Sequence, residues 1–187
     1  MDDIIKDEVM GELDFQEEAW VGSLDAPLYN SDENLTLVIQ DYNKEGILDI
    51  QREAYKTYLQ NADKYKEIAV DYLLDYYKWN YEYIASIISD LDENDHKDVI
   101  TETQLFVMIE LWCLCICRDG SFGYSFGCCW DDENDLAVLL SEAEPRVLSR
   151  TQFEHLCKRN DDTLGLLVHD GNNGWKGLKK HRFFGKE

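Results

Sequence analysis

The 187-residue chain is short of the residues that carry most chemistry and most chain breaks. It has four histidines, two prolines (Pro27 and Pro145) and no Cys-x-x-Cys pair. Without paired cysteines the usual structural zinc knuckle is excluded. So few prolines leave little room for long extended loops. Positive charge is equally thin, with 18 Lys and Arg against 39 Asp and Glu and a net charge of −21. Such a field repels nucleic-acid phosphates and anionic lipids, so neither nucleic acid nor membrane is an expected partner. Hydrophobic runs are short as well. The longest, 105–117, is 13 residues and contains Glu110, too little to span a bilayer. Met1-Asp2-Asp3-Ile4-Ile5-Lys6 has none of the apolar core of a secretory signal, so the expected compartment is the cytoplasm.

What is present suffices for a core. Apolar residues make up 44% of the chain and aromatics 12%, which disordered acidic chains do not have. One α+β domain is expected over 1–157, followed by a basic extension over 158–187. The extension holds seven Lys and Arg against four Asp and Glu, whereas the first 157 residues hold 11 against 35. A body of that sign attracts cationic surfaces and can accelerate encounter by roughly 10–10³. Solubility alone is the plainer explanation of the same charge.

Alternation predicts strands over 11–15, 19–24 and 35–40, the first two joined by a turn at Gln16-Glu17-Glu18. Helical spacing begins at 48. Ile50, Ala54 and Tyr58 mark a helix over 48–61 with Asp49 as its expected cap; Tyr65, Ile68, Tyr72, Leu73, Tyr76 and Ile84 mark another over 63–90 with a break near Trp79-Asn80. Eight of the eleven tyrosines lie in this region, where core packing and partner contact both suit them. The run 105–117 is expected as one central strand, covered on both faces. Asp119-Gly120 predicts a two-residue hairpin turn and a return strand over 121–130. Further strands are expected at 136–140 and 146–148, then a helical turn capped by Ser149 or Thr151. The fold class is α+β: a twisted antiparallel sheet of about five to seven strands packed against two long helices.

Chemistry is harder to find. Cys113, Cys115 and Cys117 alternate along one strand and are expected as reduced, buried small hydrophobes. His155 and Cys157 joining Cys128 or Cys129 around a metal is the weaker alternative. Asp90-x-Asp92-x-Asn94-x-His96-x-Asp98 has calcium-loop spacing, but Asp95 stands where glycine is required and Thr101 where the bidentate glutamate belongs. No metal and no cofactor are expected. Nucleophilic catalysis needs Ser or Cys with a His and an orienting acid. The histidines at 96, 155, 169 and 181 fall in expected loops or the C-terminal third, and no nucleophile elbow is expected.

An ordered series of short motifs remains: Gly11-Glu12-Leu13, Trp20-Val21-Gly22, Gln51-x-x-x-Tyr55, Asp119-Gly120-x-x-Gly123-Tyr124-x-Phe126, and Trp130-Asp131-Asp132-Glu133-Asn134-Asp135-Leu136-Ala137-Val138. In it the chain resembles a group of small acidic bacterial proteins of unknown function in which a W-D-x-E-x-G-L-G-V turn follows a hairpin. Members are read as immunity proteins beside polymorphic toxins. The resemblance covers 11–150, and Asp135 and Ala137 stand where that pattern has glycines. It implies a protein that binds a cognate toxin domain, a basic one such as a nuclease, and occludes its cationic cleft without turnover of its own. It brings no catalytic residues. The carboxylates of Asp90, Asp92, Glu93, Asp95, Asp131, Asp132, Glu133 and Asp135 are the expected contacts, with Tyr77 and Tyr81 as aromatic anchors. One alternative is a small Cys- or carboxylate-dependent hydrolase, with a thiol or acid in reach of His155 or His169. Another is an interaction domain with no toxin partner.

Overall fold

The alternating N-terminal segments pair in sequence order as an antiparallel meander: β1 Ile4–Asp7, β2 Gly11–Gln16, β3 Ala19–Leu24 and β4 Leu35–Gln40. The computed structural model describes residues 3–24, 35–87, 101–130, 135–141 and 145–157. β1 is not among the expected strands. Its Ile-Ile-Lys-Asp sequence is too short to show a period, and its pairing with β2 makes it a strand.

Two helices follow where helical spacing placed them, α1 Asp49–Gln60 and α2 Ala62–Ile87. Asp49 is the first helical residue rather than the cap. Leu48 holds the cap position, and its N–H donates to Gln51 Oε1 at 3.0 Å. α2 runs through Trp79-Asn80 without the expected break, and Asn80 Nδ2 donates back to the Tyr76 carbonyl at 3.1 Å.

The run 105–117 divides into a helix and a strand. Thr101 and Gln104 cap each other: Thr101 Oγ1 accepts from the Gln104 N–H at 3.3 Å, and Gln104 Oε1 accepts from the Thr101 N–H at 3.1 Å. That cap starts α3 Glu102–Met108, and β5 Ile109–Ile116 follows at once. The local cap outweighs the strand-like composition of Leu105 to Met108.

With α1, α2 and α3 as its connection, β5 returns parallel to β4, Thr36 opposite Cys113 through Ile39 opposite Ile116. β6 Phe122–Cys128, β7 Leu136–Leu139 and β8 Arg146–Ser149 continue antiparallel. Among the described residues the eight strands lie in sequence order in one open sheet, more than the five to seven expected. Two short helices, α3 and α4 Arg150–Cys157, join the two long ones. Ser149 caps α4 as expected, its Oγ accepting from the Gln152 N–H at 3.2 Å. The fold is α+β.

The β5–β6 hairpin forms, with a longer turn than expected. Cys117 N–H donates to the Ser121 carbonyl at 2.8 Å, so 118–120 make a three-residue loop in which Gly120 alone is left-handed, at φ +81°. A Cβ on Gly120 would also meet Ile50 Cγ1 of α1 at 2.7 Å.

Alternation along the strands gives the sheet two faces. On one, Leu37, Ile39, Leu114, Ile116, Tyr124 and Phe126 pack with Tyr58, Leu73 and Tyr77 of the long helices, none more than 1% exposed. The other face carries a smaller cluster, Cys115, Cys117, Ala137, Leu139 and Leu148, with Phe153 and Cys157 of α4. A disulfide joins Cys117 to Cys157 in place of the reduced thiols expected, because alternation along β5 turns Cys117 toward that helix. No helix of the described residues is long and apolar enough to cross a membrane.

Candidate functional site

α4 is only eight residues long and leaves part of the second sheet face open as a groove of about 440 Å³. Val38, Gln40, Cys113, Cys115 and Ser125 line it from β4, β5 and β6. Around them stand the β2–β3 turn, Tyr42, Trp112, and α4 with Arg150, Phe153 and Glu154.

Three local features shape this groove. The β2–β3 hairpin turns on Glu17 and Glu18, between the paired Gln16 and Ala19, and both glutamates have positive φ, +43° and +70°. Asn and Gly usually fill such a turn, and a residue with a Cβ there costs about 1–2 kcal/mol. The Asp41 N–H fastens the turn by donating to the Glu18 carbonyl at 2.9 Å. Both glutamates are exposed, and neither carboxylate has an ion-pair partner among the described residues.

Trp112 is the extra residue of a β-bulge. The β5–β6 pairing steps from Leu111 opposite Phe126 to Cys113 opposite Ser125, which re-aims the side chain between them. Its ring sits on Gly127, where a Cβ would meet Cζ2 at 2.5 Å. The indole is 40% exposed, and the Arg150 guanidinium lies over it at 5.5 Å from the ring centroid. Arg150 is held by Glu154 at 2.8 Å and faces Asp135 at 3.6 Å. Burial opposes the Arg150 charge, yet these two carboxylates carry its pKa above the ordinary arginine value.

Ser125 is the third feature. It is 7% exposed, and its hydroxyl has no hydrogen-bond partner among the described residues. It is the centre of Gly123-Tyr124-Ser125-Phe126-Gly127, so the G-x-S-x-G spacing of nucleophile elbows is present where none was expected. An elbow requires a sharp strand-to-helix turn. All five residues here lie inside β6, between β5 and β7. The glycines serve close approach instead: a Cβ at 123 would run into the Val138 carbonyl, and one at 127 into Trp112.

The thiols are quiet. Burial pushes Cys113 up to about 11, and burial followed by the neighbouring Cys113 raises Cys115 as well. Both are protonated at neutral pH, and a protonated thiol is not the nucleophilic form. Burial likewise raises the Tyr42 hydroxyl. The groove therefore offers three carboxylates against one guanidinium, an exposed indole and an unpaired hydroxyl. Such a set suits the binding of a cationic group.

Of the residues expected from sequence, Asp90, Asp92, Glu93, Asp95, Asp131, Asp132 and Glu133 lie outside the described residues, as do the calcium-like spacing and the extension 158–187. Asp135 is buried rather than presented to a partner. Its carboxylate faces Arg150, and its carbonyl accepts from the Arg150 N–H at 3.4 Å. It stands at φ +43°, the left-handed conformation that glycine adopts most readily. Tyr77 is core, not a surface anchor. It is 1% exposed, edge-on to Trp130 at 5.8 Å and to Tyr81 at 6.1 Å, and burial pushes its hydroxyl up to about 12. Tyr81 is half-buried against the same core. Neither Tyr77 nor Tyr81 lines the groove, and Asp135 reaches it through Arg150.

Glu17, Glu18, Trp112, Ser125, Arg150 and Glu154 are the residues sequence reasoning missed. The adjacent glutamates at a tight turn between two legible strands were the available signal. Cys115, Cys117 and Cys157 bring three sulfurs within 4.8 Å of one another, but two are bonded together, so no three-thiolate metal site exists there. The side chains of His155 and His169 lie outside the described residues.

The profile of a family described as a domain of unknown function, DUF6985, matches residues 9–150. That span holds the groove lining except Phe153 and Glu154. No curated protein and no solved structure matches the chain.

Proposed function

The chain belongs to the DUF6985 family, and from this premise we propose that it is a stoichiometric binding protein for a cationic protein surface: an immunity protein that binds and neutralises a cognate toxin domain, a basic one such as a nuclease. One observation carries the reading. The open groove gathers Glu17, Glu18 and Glu154 around an exposed tryptophan, on a chain whose net charge is −21. A nuclease keeps a cationic cleft for phosphates, and an acidic body can occupy that cleft without chemistry of its own. Attraction of this kind acts over about 10 Å in moderate salt. The hydrolase alternative has less support, because the groove thiols are protonated and Ser125 has no base in hydrogen-bond reach among the described residues.

The reading is tested by co-expressing the chain with the product of the upstream gene and assaying that product with and without it. A one-to-one complex, toxin activity abolished at one equivalent, and affinity that falls with rising salt are the expected results. Full toxin activity in excess of this chain overturns the proposal. So does turnover of a small molecule by the purified chain, abolished by a single substitution.

A further inference from the structure

We propose that the groove is an arginine receptor: it takes one arginine side chain of the partner protein, with the guanidinium seated beside Trp112 and Ser125 and its charge met by Glu17 and Glu18. The inference rests on the binding role proposed above and names the group that is bound. Charge complementarity gives the sign of the occupant. Glu17 and Glu18 carry two carboxylates with no ion-pair partner among the described residues, whereas the groove's own cation, Arg150, is already held by Glu154.

Ser125 points independently to a polar ligand. The residue is 7% exposed, and its hydroxyl lines the cavity with no hydrogen-bond partner among the described residues. A guanidinium N–H supplies the missing donor. The aromatic wall favours arginine over lysine. A planar guanidinium stacks on an indole, pairs carboxylates with a fork of donors and gives up its hydration more readily than an ammonium. The chain's own Arg150 already lies over the Trp112 ring at 5.5 Å.

The backbone supports the same assignment. Two consecutive glutamates with positive φ are an expensive way to build a hairpin turn that Asn-Gly makes freely. Strain of this sort persists where it fixes a side chain in a required place. Here it sets both carboxylates at the groove.

The test uses the full chain and two blocked hexapeptides that differ only by arginine or citrulline at one position. Two-dimensional NMR follows the Trp112 indole N–H and the Ser125 amide. Saturable shifts at both positions with the arginine peptide, and binding at least tenfold weaker with the citrulline peptide, are expected. The double variant Glu17→Gln/Glu18→Gln, its fold checked by its amide spectrum, weakens the arginine peptide about tenfold. Should that variant fail to fold, Trp112→Leu serves as the second variant and gives the same loss. Equal response to citrulline, or shifts confined to other parts of the chain, overturns the assignment.

The toxin-neutralisation assay separates this inference from the reading it rests on. If the wild-type chain neutralises and the double variant neutralises equally, the arginine receptor falls while the immunity role stands. If the wild-type chain fails to neutralise yet binds the arginine peptide selectively, the receptor stands and the immunity role falls.

Discussion

The indole N–H of Trp20 donates to the carboxylate of Asp41 at 2.8 Å, and Asp41 has no exposure to solvent at all. The same carboxylate accepts from the backbone N–H groups of Glu45 at 3.0 Å and Gly46 at 2.8 Å, and from Arg118 Nη1 at 2.6 Å. One side chain thus ties β3, the loop before α1 and the β5–β6 turn together. Because Trp20 is buried and Gly46 and Arg118 are half-buried, losing it leaves several unsatisfied groups at once. Asp41→Ala is expected to cost about 3–5 kcal/mol, read from urea denaturation. A loss under about 1 kcal/mol, the range of an exposed pair, would show that the cluster does not organise these loops.

Gly127 holds Trp112 in position, and a methyl group there has no room without moving the ring. Gly127→Ala is expected to keep the fold at a cost of about 1–3 kcal/mol and to displace the indole from its seat. Fluorescence, corrected with a Trp112→Phe reference, should show the Trp112 emission moving to longer wavelength. Unchanged emission would mean that the ring is not seated on this glycine.

The cysteines should differ in reactivity by position. Cys129 is exposed and outside the disulfide, whereas Cys115 and Cys128 are buried. At neutral pH an aromatic disulfide reagent should label Cys129 first. Cys113, half-buried with its thiol pushed up to about 11, should respond only as the pH climbs toward that value. Peptide mapping by mass spectrometry assigns the sites, and prompt labelling of Cys113 at pH 7 would contradict the burial argument.

Asp7 makes the native state sensitive to acid. Burial pushes its pKa up, but hydrogen bonds from the Val9 N–H, Arg52 and the Met10 N–H outweigh burial and hold the carboxyl below the usual range. A folded pKa below the unfolded one gives stability that is fully present above about pH 3.9, the unfolded value. That stability is lost as the pH falls through the folded value. Asp7→Asn is expected to flatten this part of a melting-temperature series below pH 4. An unchanged acid limb would remove Asp7 from the account.

The Cys117–Cys157 disulfide closes a loop of sequence separation 40. In the chain-entropy picture a loop of that size is worth about 4 kcal/mol. Cys157→Ser should lower the denaturation midpoint by a corresponding amount and increase hydrogen exchange in α4, while β5, between β4 and β6, stays protected. Equal protection of α4 in the variant would show that packing of Phe153 alone docks the helix.

Periodicity made β2, β3, β4, α1 and α2 legible, the Asp119-Gly120 turn marked the β5–β6 hairpin, and apolar runs rather than any alternation marked β7 and β8, which are buried on both faces at all but one residue. β1 was too short for any repeat. α3 was hidden by β-favouring composition and revealed only by the Thr101–Gln104 cap. The parallel join of β4 and β5 is a property of the whole crossover and has no residue-level mark. The groove was less legible still. Its residues come from a turn, a bulge, a strand and the start of a helix, brought together only by sheet register. Charge made the acidic character visible but not its placement, and the carboxylate runs that drew attention in the sequence fall outside the described residues.

The strand order has a consequence for how the molecule can come apart. Each half of the sheet, β1 to β4 and β5 to β8, is a contiguous stretch of chain, and among the described residues strands of the two halves pair at the β4–β5 seam alone. The groove straddles that seam, taking Glu17, Glu18 and Gln40 from one half and Trp112, Ser125 and Arg150 from the other. Neither fragment alone possesses the whole groove. An occupant of the groove therefore works as a rivet between two separable pieces, and a chain nicked within its helical connection should be reassembled by the arginine peptide proposed to fill it.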